Sequence, residues 1–419
     1  MNALDPLYIL AGALAAPVWA RKQRSGWGER MGKVAGMLRG EPAPSRPRIL
    51  LHAVSVGEVN ALRPLVPLLE RHATVIVSVT TDTGLARARQ LFSETCEVVR
   101  YPLDFSWAVR RFLDAVRPDA VGLVELELWP NFLGACRARG IPACVINGRL
   151  SARSFRGYAR WRRLLSPLMF RRLACAAVQD ETYAERFRAM GAPDVRVTGS
   201  MKWDSYDVSD EPGPPGDAAL ALGRELGIDP DRPLVVGGST GPGNGTGEEA
   251  LLHEAVLRSC PEGTQLACAP RKPERFEEAA GTMPGCVRRS RGGGDPFGGR
   301  FLLDTIGELG LLYQLADVVV VGRSFYHLHG SDPVEPIALG RATVIGPAVG
   351  DFEEIVRAFE DAGGLVRADR ETLGPVLRDL LADGERRREL VARGRACIRE
   401  HQGGAARHAE LLLGLVRSE

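Results

Sequence analysis

The sequence predicts an α/β protein built from two doubly wound, Rossmann-like domains facing a cleft, with an amino-terminal membrane-associated helix. Three observations predict it. Short Val- and Ile-rich runs alternate with amphipathic ones from Arg48 to Gln179 and again from Arg232 onward, the pattern of parallel sheets covered on both faces. The alternation is interrupted at Ser205–Asp217, SYDVSDEPGPPGD, whose polar, Pro- and Gly-rich text fits a linker. At the amino terminus, Leu7–Ala20 is uncharged and mostly apolar and is followed by Arg21, Lys22 and Arg24.

The elements follow in order. RILLHAVSV is a strand ending in a turn, VNALRPLVPLLERH a helix, ATVIVSVTT a strand and GLARARQLF a helix. AVRRFLDAVRP is a helix, DAVGLVELEL a strand, NFLGACRARG a helix and IPACVIN a strand. After the linker, RPLVVGGST, TQLACAP, ADVVVVG and ATVIGP are strands, with helices between them, and the chain is mostly helical from about Glu371 to Arg417. The expected organisation is therefore residues 1–35 as amino-terminal helix and basic flank, 36–204 as the first domain, 205–217 as linker and 218–419 as the second domain with the final helices. In such folds ligands bind beyond the carboxyl ends of the strands. The apolar run is short for a spanning helix, which takes about 20 residues. Its basic residues follow it rather than precede it, unlike a secretory signal. A helix lying in or dipping into an anionic membrane fits, as does an ordinary packed helix.

Composition narrows the classes. The chain has 419 residues, 45% hydrophobic and 25% charged, and a net charge of +2, which carries no overall nucleic-acid signal. Its eight cysteines are scattered through apolar text without a C-x-x-C pair, which fits buried thiols in a reducing compartment. Of the seven histidines only His327 and His329 stand close together, and no ligand framework surrounds them, so no metal site and no cofactor are expected.

Five motifs carry chemistry. In HAVSVGEVNALRP, Gly57 permits a tight turn, and Glu58 falls in the first turn of a helix at the mouth of a strand. It is placed there to act as a general base, or simply to complement the helix dipole. In VELELWPN, Glu125 and Glu127 at period two share one face of a strand. Two such carboxylates either work or are paired with nearby arginines. From Leu128 to Gln179 there is no Asp or Glu but ten arginines, among them Arg149, Arg153 and Arg156, interleaved with Phe155, Tyr158 and Trp161. Arginine suits bidentate phosphate contacts, and the pattern suits a membrane surface; a solvated helix face is the plainer account. GGSTGPGNGTGEE, after a strand, offers backbone N–H groups to phosphate or forms a surface loop. Arg271 and Lys272 in APRKPERF stand at the next strand end. In VGRSFYHLHGSDPVEPIALG, a loop with Gly322, Ser324 and Gly330 leads to a helix start near Pro333. Glu335 there suits ribose hydroxyls, or the dipole alone.

Together these residues resemble the Kdo (3-deoxy-manno-octulosonic acid) transferases of lipopolysaccharide synthesis, which have the GT-B glycosyltransferase fold. The resemblance rests on SVGE at Ser55–Glu58, TTDTG at Thr80–Gly84, ELWPN at Glu127–Asn131, NGRLSARSFRGY at Asn147–Tyr158, VTGSMKWD at Val197–Asp204, PRKPERF from Pro270, and DPVEPIALG from Asp332. It implies an inverting, metal-independent transfer of Kdo from CMP-Kdo to a lipid A precursor at the cytoplasmic face of a bacterial inner membrane. Glu58 is then the base. Ser55, Gly57, Glu125, Glu127, Arg149, Arg153 and Arg156 serve the acceptor side of the first domain. Ser239, Thr240, Arg271, Lys272, Gly322, Ser324, Gly330, Asp332 and Glu335 serve the CMP-sugar in the second. The partners implied are CMP-Kdo, the lipid acceptor and anionic lipid, with no nucleic acid. The second half departs from the family text. GPGNGTG replaces the His and first Glu of STHEGEE, Ser331 and Asp332 replace His and Asn of GGHNPLEP, and Lys272 replaces the His of PRHPERF. Another nucleotide-activated sugar on an anionic lipid, or a relative without catalysis, stand as alternatives.

Overall fold

The computed structural model describes residues 4–6, 8, 10, 25–38, 46–209, 211–350 and 352–416. The expected membrane helix at Leu7–Ala20 and its basic flank fall outside these, apart from Tyr8 and Leu10. Among the described residues no helix is long and apolar enough to cross a membrane.

Two compact units form, Met1–Ser205 with His401–Glu419, and Tyr206–Glu400. The first contains strands β1 (Arg48–Ala53), β2 (Thr74–Val79), β3 (Glu97–Arg100), β4 (Ala120–Val124), β5 (Ala143–Gly148), β6 (Cys175–Val178) and β7 (Val195–Val197). They make one seven-stranded sheet in the order β3-β2-β1-β4-β5-β6-β7. Every neighbour is parallel. Strands β1, β4 and β5 are buried along their whole length, as strands with helices on both faces must be.

The second unit repeats the plan with β8 (Leu234–Thr240), β9 (Gln265–Pro270), β10 (Val287–Arg288), β11 (Arg300–Leu302), β12 (Val318–Val321), β13 (Ala342–Ile345) and β14 (Val366–Arg367). Its order is β10-β11-β9-β8-β12-β13-β14, again with all ladder pairs parallel. The strand order reverses direction at β1/β4 in the first unit and at β8/β12 in the second. Those are the switch points where doubly wound sheets open a crevice beyond their carboxyl ends.

Two local expectations change. The helix expected over Val59–His72 is two, Val56–Ala61 and Val66–Glu70, because Pro64 brings no N–H to continue the first. The closing helix Gly404–Val416, expected with the second domain, belongs to the first unit. Ala405, Ala409 and Leu412 pack with Leu51, Val124 and Ile146. The Asp204 carboxylate accepts from Gly403 N (2.6 Å) and Ala405 N (2.9 Å), capping the helix start. Buried His408 accepts at Nε2 from Asn147 N (2.7 Å) and Thr198 Oγ1 (3.1 Å), and donates from Nδ1 to Gly404 O (2.6 Å). The chain thus enters the second unit at Tyr206 and returns at His401, so no one-way linker joins two consecutive domains.

The amino-terminal tail is tied to the same unit. Fully buried Asp5 accepts from Ser106 N (2.8 Å) and Ser106 Oγ (2.6 Å), supplying the cap that helix Ser106–Val116 lacks from its own Phe105. Tyr8 donates to Asp104 Oδ2 (3.0 Å), and Asp104 also accepts from Asn131 N (3.0 Å) and Phe132 N (2.8 Å) at the start of helix Pro130–Ala138.

All six tryptophans precede Tyr206, so tryptophan fluorescence reports the first unit alone. Leu412→Ala is expected to destabilise that unit by about 2–5 kcal/mol, read as a lower urea midpoint by tryptophan fluorescence. An unchanged midpoint would contradict the placement of the closing helix.

Candidate active site

In the first unit the switch-point strands deliver three carboxylates. After β1, Ser55 caps helix Val56–Ala61 through a long contact from Glu58 N (3.4 Å). Glu58 reaches back, accepting from Val54 N at Oε2 (2.9 Å) and from Ser55 Oγ at Oε1 (3.0 Å). This is a capping box, so Glu58 has a local structural role whatever else it does. Gly57 is exposed and helical. Only Ser55 Oγ, at 3.8 Å, lies near the place of an added Cβ, so no tight turn demands a glycine there.

Glu125 and Glu127 do not lie on a strand. β4 ends at Val124, and Glu125 turns the chain with φ 57° while its N–H donates to Ile146 O (3.0 Å). A left-handed, non-glycine residue at a strand end is strained, a state that folds tolerate chiefly at functional sites. Glu127 accepts from Trp129 Nε1 (3.0 Å). Burial raises the pKa of Glu58 to about 7; the Val54 N–H opposes this, and the Glu125 and Glu127 charges add to it. Glu127 is also raised by burial, opposed by the Trp129 N–H and reinforced by Glu125. A carboxylate that titrates near neutrality at the carboxyl end of a switch-point strand has the properties of a general base.

The acid-free segment follows β5. Arg149 Nε donates to Tyr183 Oη (3.3 Å). Arg153 and Arg156 are exposed on helix Ala152–Arg160, and among the described residues they form no ion pair. Trp161 (62% exposed) and Leu164 (57%) stand between Arg160, Arg162 and Arg163. Its partly buried Phe155, Tyr158 and Ala159 pack against the core of the first unit, and its arginines lie on the opposite, exposed side.

In the second unit the expected donor residues divide. Thr240 and Ser324 are wholly buried and hold the frame. Thr240 Oγ1 donates to Glu249 Oε1 (2.5 Å), and Ser324 Oγ donates to Val321 O (2.6 Å) while accepting from Gly346 N (2.8 Å). Glu248 accepts from four backbone N–H groups, Gly241 (2.8 Å), Arg323 (2.5 Å), Ser324 (2.9 Å) and Phe325 (3.1 Å). Glu249 takes both arms of Arg275 (2.9 Å each). These bonds clamp the loops after β8 and β12 together. Gly322 is needed there, since a Cβ would stand 2.6 Å from Thr240 Cα.

Of the others, Ser239 and Gly330 are buried, Asp332 and Glu335 half-buried, and only Arg271 and Lys272 fully accessible. Arg271 and Lys272 are exposed and form no ion pair among the described residues. Arg271 N donates to Thr240 O (3.0 Å), fixing it at the β8/β9 ends. Tyr313 lies against Gly238, where a Cβ would come within 1.9 Å of its hydroxyl. Burial raises its pKa, and the charges of Glu335, Tyr206 and Asp332 add to the rise while Arg271 opposes it. Asp332 Oδ1 accepts from Val334 N (2.9 Å) at the start of helix Val334–Ala338. Ser331 Oγ is buried without a hydrogen-bond partner among the described residues. Ser239 (φ 55°) and Gly330 (φ 76°) shape the loop backbones. Among the described residues no group of three His, Cys, Asp or Glu is placed to hold a metal ion.

Comparison with known proteins decides the family. Over 97% of its length the chain is 33% identical to the 3-deoxy-D-manno-octulosonic acid transferase of Bordetella pertussis, 98% of which is covered. The chain belongs to the Kdo transferase family. It is also 30% identical to the Haemophilus influenzae Kdo transferase, over 92% of this chain and 91% of that one. The family model described as 3-deoxy-D-manno-octulosonic-acid transferase (kdotransferase) matches residues 25–205. Among solved structures, Anabaena HepE in complex with UDP is similar at a TM-score of 0.59 and 13% identity, covering 89% of this chain and all of that one. A glycosyltransferase from Rickettsia africae is similar at a TM-score of 0.58 and 8% identity. The two parallel seven-stranded sheets are those of the GT-B fold.

Within this Kdo transferase family member, sequence reasoning missed Tyr313, Tyr206 and the Glu248/Glu249 clamp. The Gly-Gly pair at Gly237–Gly238 was the one available signal, since a glycine in a strand marks a close approach. Its partner Tyr313 lies 75 residues downstream of Gly238 by number.

A stability test isolates the Glu58 environment. Its folded pKa of about 7 lies above the ordinary 4.5, so the neutral form is the one the fold favours. That contribution is complete below about pH 4.5 and is lost as pH rises through about 7. Glu58→Gln cannot ionise, so its stability relative to wild type is expected to rise by on the order of 1–3 kcal/mol between about pH 5 and pH 8.5, measured as urea midpoints by tryptophan fluorescence. A difference independent of pH would refute the raised pKa.

Proposed function

We propose that this member of the Kdo transferase family moves Kdo from CMP-Kdo onto a lipid A precursor of the lipid IVA type, with inversion, in lipopolysaccharide core synthesis at the cytoplasmic face of a bacterial inner membrane. The observation that carries the proposal is Glu58, raised to about 7 at the β1/β4 switch point beside Glu125 and Glu127. Its carboxylate takes the proton of the acceptor hydroxyl as that oxygen bonds to the anomeric carbon of Kdo. The bond from that carbon to the CMP phosphate oxygen breaks, and CMP leaves with the electron pair. The phosphate is a competent leaving group once its charge is met, so positioning and charge neutralisation supply the rest.

The first unit, Met1–Ser205 with His401–Glu419, binds the acceptor. Ser55 orients the base. Glu125 and Glu127 keep it basic enough and accept from acceptor hydroxyls, while Arg149, Arg153 and Arg156 meet the lipid phosphates. The second unit, Tyr206–Glu400, holds the donor: Arg271 and Lys272 face the nucleotide phosphate, Glu335 the ribose, and Ser239, Gly330 and Asp332 form the rim. Thr240, Gly322 and Ser324 serve as its frame, since the two hydroxyls are committed to Glu249 and Val321. The amino-terminal run Leu7–Ala20 associates with the membrane. The tie of Asp5 and Tyr8 to the Ser106 and Pro130 helix starts supports it, because those helix starts adjoin the Glu127 loop. A donor other than CMP-Kdo is favoured by one feature, the Asp332 carboxylate where the family carries Asn, and a panel of nucleotide sugars separates the two.

Glu58→Ala is expected to lower kcat by about 10²–10⁴-fold in transfer from CMP-Kdo generated in place to a tetraacylated lipid A precursor, read by product mass, with the urea midpoint showing a folded variant. A folded variant with near wild-type kcat would remove the base assignment. At the membrane, replacing Trp161 and Leu164 together by Ser is expected to weaken sedimentation with anionic vesicles at least fivefold, the remaining binding falling further with salt. Binding equal to wild type would exclude this surface from membrane contact.

A further inference from the structure

The amino-terminal tail is fastened to one loop of the first unit, on both sides of its apolar run. Before the run, Asp5 accepts from Ser106 N (2.8 Å) and Ser106 Oγ (2.6 Å), and Tyr8 donates to Asp104 Oδ2 (3.0 Å). The Tyr8 ring also meets Phe105 edge-on, with 6.3 Å between centroids. After the run, Arg30 O accepts from Leu103 N (2.8 Å). All these partners lie in Leu103–Ser106, the loop that follows β3 and opens helix Ser106–Val116.

The same loop holds the start of helix Pro130–Ala138. Asp104 accepts from Asn131 N (3.0 Å) and Phe132 N (2.8 Å), two of the N–H groups that a helix start leaves open. Asn131 Nδ2 donates to Asp104 O (2.5 Å) and, more weakly, to Asp5 Oδ1 (3.4 Å). Neither helix is capped by its own preceding side chain, Phe105 in one case and Trp129 in the other. Asp5, wholly buried, reaches both helix starts. A buried carboxylate is costly unless donors meet it, and a tether alone has no need of one. Trp129, which leads into the second of these helices, donates from Nε1 to Glu127 Oε2 (3.0 Å). Hydrogen bonds thus run from the tail to Asp104 and Asn131, and from Trp129, two residues before Asn131, to Glu127.

We infer that the amino-terminal tail is a working part of the acceptor site, with Asp5 and Tyr8 as positioning residues that hold Glu127 in place through Asp104, Asn131 and Trp129. The inference rests on the proposed role of Glu127 toward the acceptor. Loss of either tail residue loosens the Pro130 helix start and misplaces Glu127. The donor residues stand in the other unit and are spared, so the defect falls on turnover and not on donor affinity.

The test uses the full chain, with the lipid A precursor dispersed in nonionic detergent so that no bilayer has to be bound. Asp5→Ala is expected to lower kcat by about 10–100-fold, with KM for CMP-Kdo within about twofold of wild type. Tyr8→Phe, which removes one hydroxyl from a half-buried ring, is expected to lower kcat by about threefold or more. In a Glu127→Gln chain, itself slowed, Asp5→Ala is expected to change kcat by less than about twofold, because the group it positions is already lost. Urea midpoints by tryptophan fluorescence show which variants are folded. A folded Asp5→Ala with wild-type kcat, a loss seen only with acceptor in vesicles, or an equal fall in the Glu127→Gln chain overturns the inference. Should Asp5→Ala not fold, wild-type kcat in Tyr8→Phe overturns it. A wild type that transfers no Kdo, or a Glu127→Gln chain as active as wild type, overturns the reading of the acceptor site and this inference with it.

Discussion

A carboxylate buried at the carboxyl end of a parallel strand needs hydrogen-bond donors in proportion to its burial. Both units place a glutamate there, at the start of the helix that follows the switch-point strand. Glu248 receives four backbone N–H groups and can stay buried as a clamp between two loops. Glu58 receives one backbone N–H and one hydroxyl and faces two further carboxylates. A glutamate at the helix start thus serves as a structural anchor in one unit and is a carboxyl raised to about 7 in the other. Burial raises both carboxyls, opposed at Glu248 by four backbone N–H groups and reinforced at Glu58 by two like charges.

The rest of each site is arranged around that difference. In the second unit the clamp fixes the roots of the loops after β8 and β12, at Gly241 and at Arg323–Phe325. Breaking the Glu249–Arg275 pair would leave a buried charge uncompensated, at a cost of about 3–5 kcal/mol, and would loosen both. In the first unit the strained Glu125 turn and the Trp129 bond to Glu127 hold the two flanking carboxylates close to Glu58 without pairing them to arginine. The arginines instead face outward from Ala152–Arg160, free for an anionic partner. The structural economy is consistent with an enzyme whose acceptor is an anionic lipid.

Much of this was legible in the sequence. The βα alternation fixed the two sheets because strands buried on both faces read as unbroken Val and Ile runs, as in Val318–Val321. Glu58 was legible because SVGE follows such a run directly. Glu125 was misread as a strand residue: nothing in VELEL marks the residue that takes a positive φ, since the turn is imposed by the β5 backbone it bonds. Thr240 and Ser324 were read as donor ligands because hydroxyls at strand ends serve ligands and loop frames alike, and their acceptors, Glu249 and Val321, decide between the two only in space. The closing helix shows an apolar face in its text, but that face does not say which sheet it covers.

If Glu58 is the base, its burial beside Glu125 and Glu127 sets the pH at which transfer begins. The most direct measurement is the pH dependence of kcat/KM for Kdo transfer, with the donor generated in place and the acceptor subsaturating. The account predicts a rising limb with an inflection near pH 7, where the carboxylate becomes available to take a proton. A profile that stays flat from about pH 5.5 to pH 9 would contradict it.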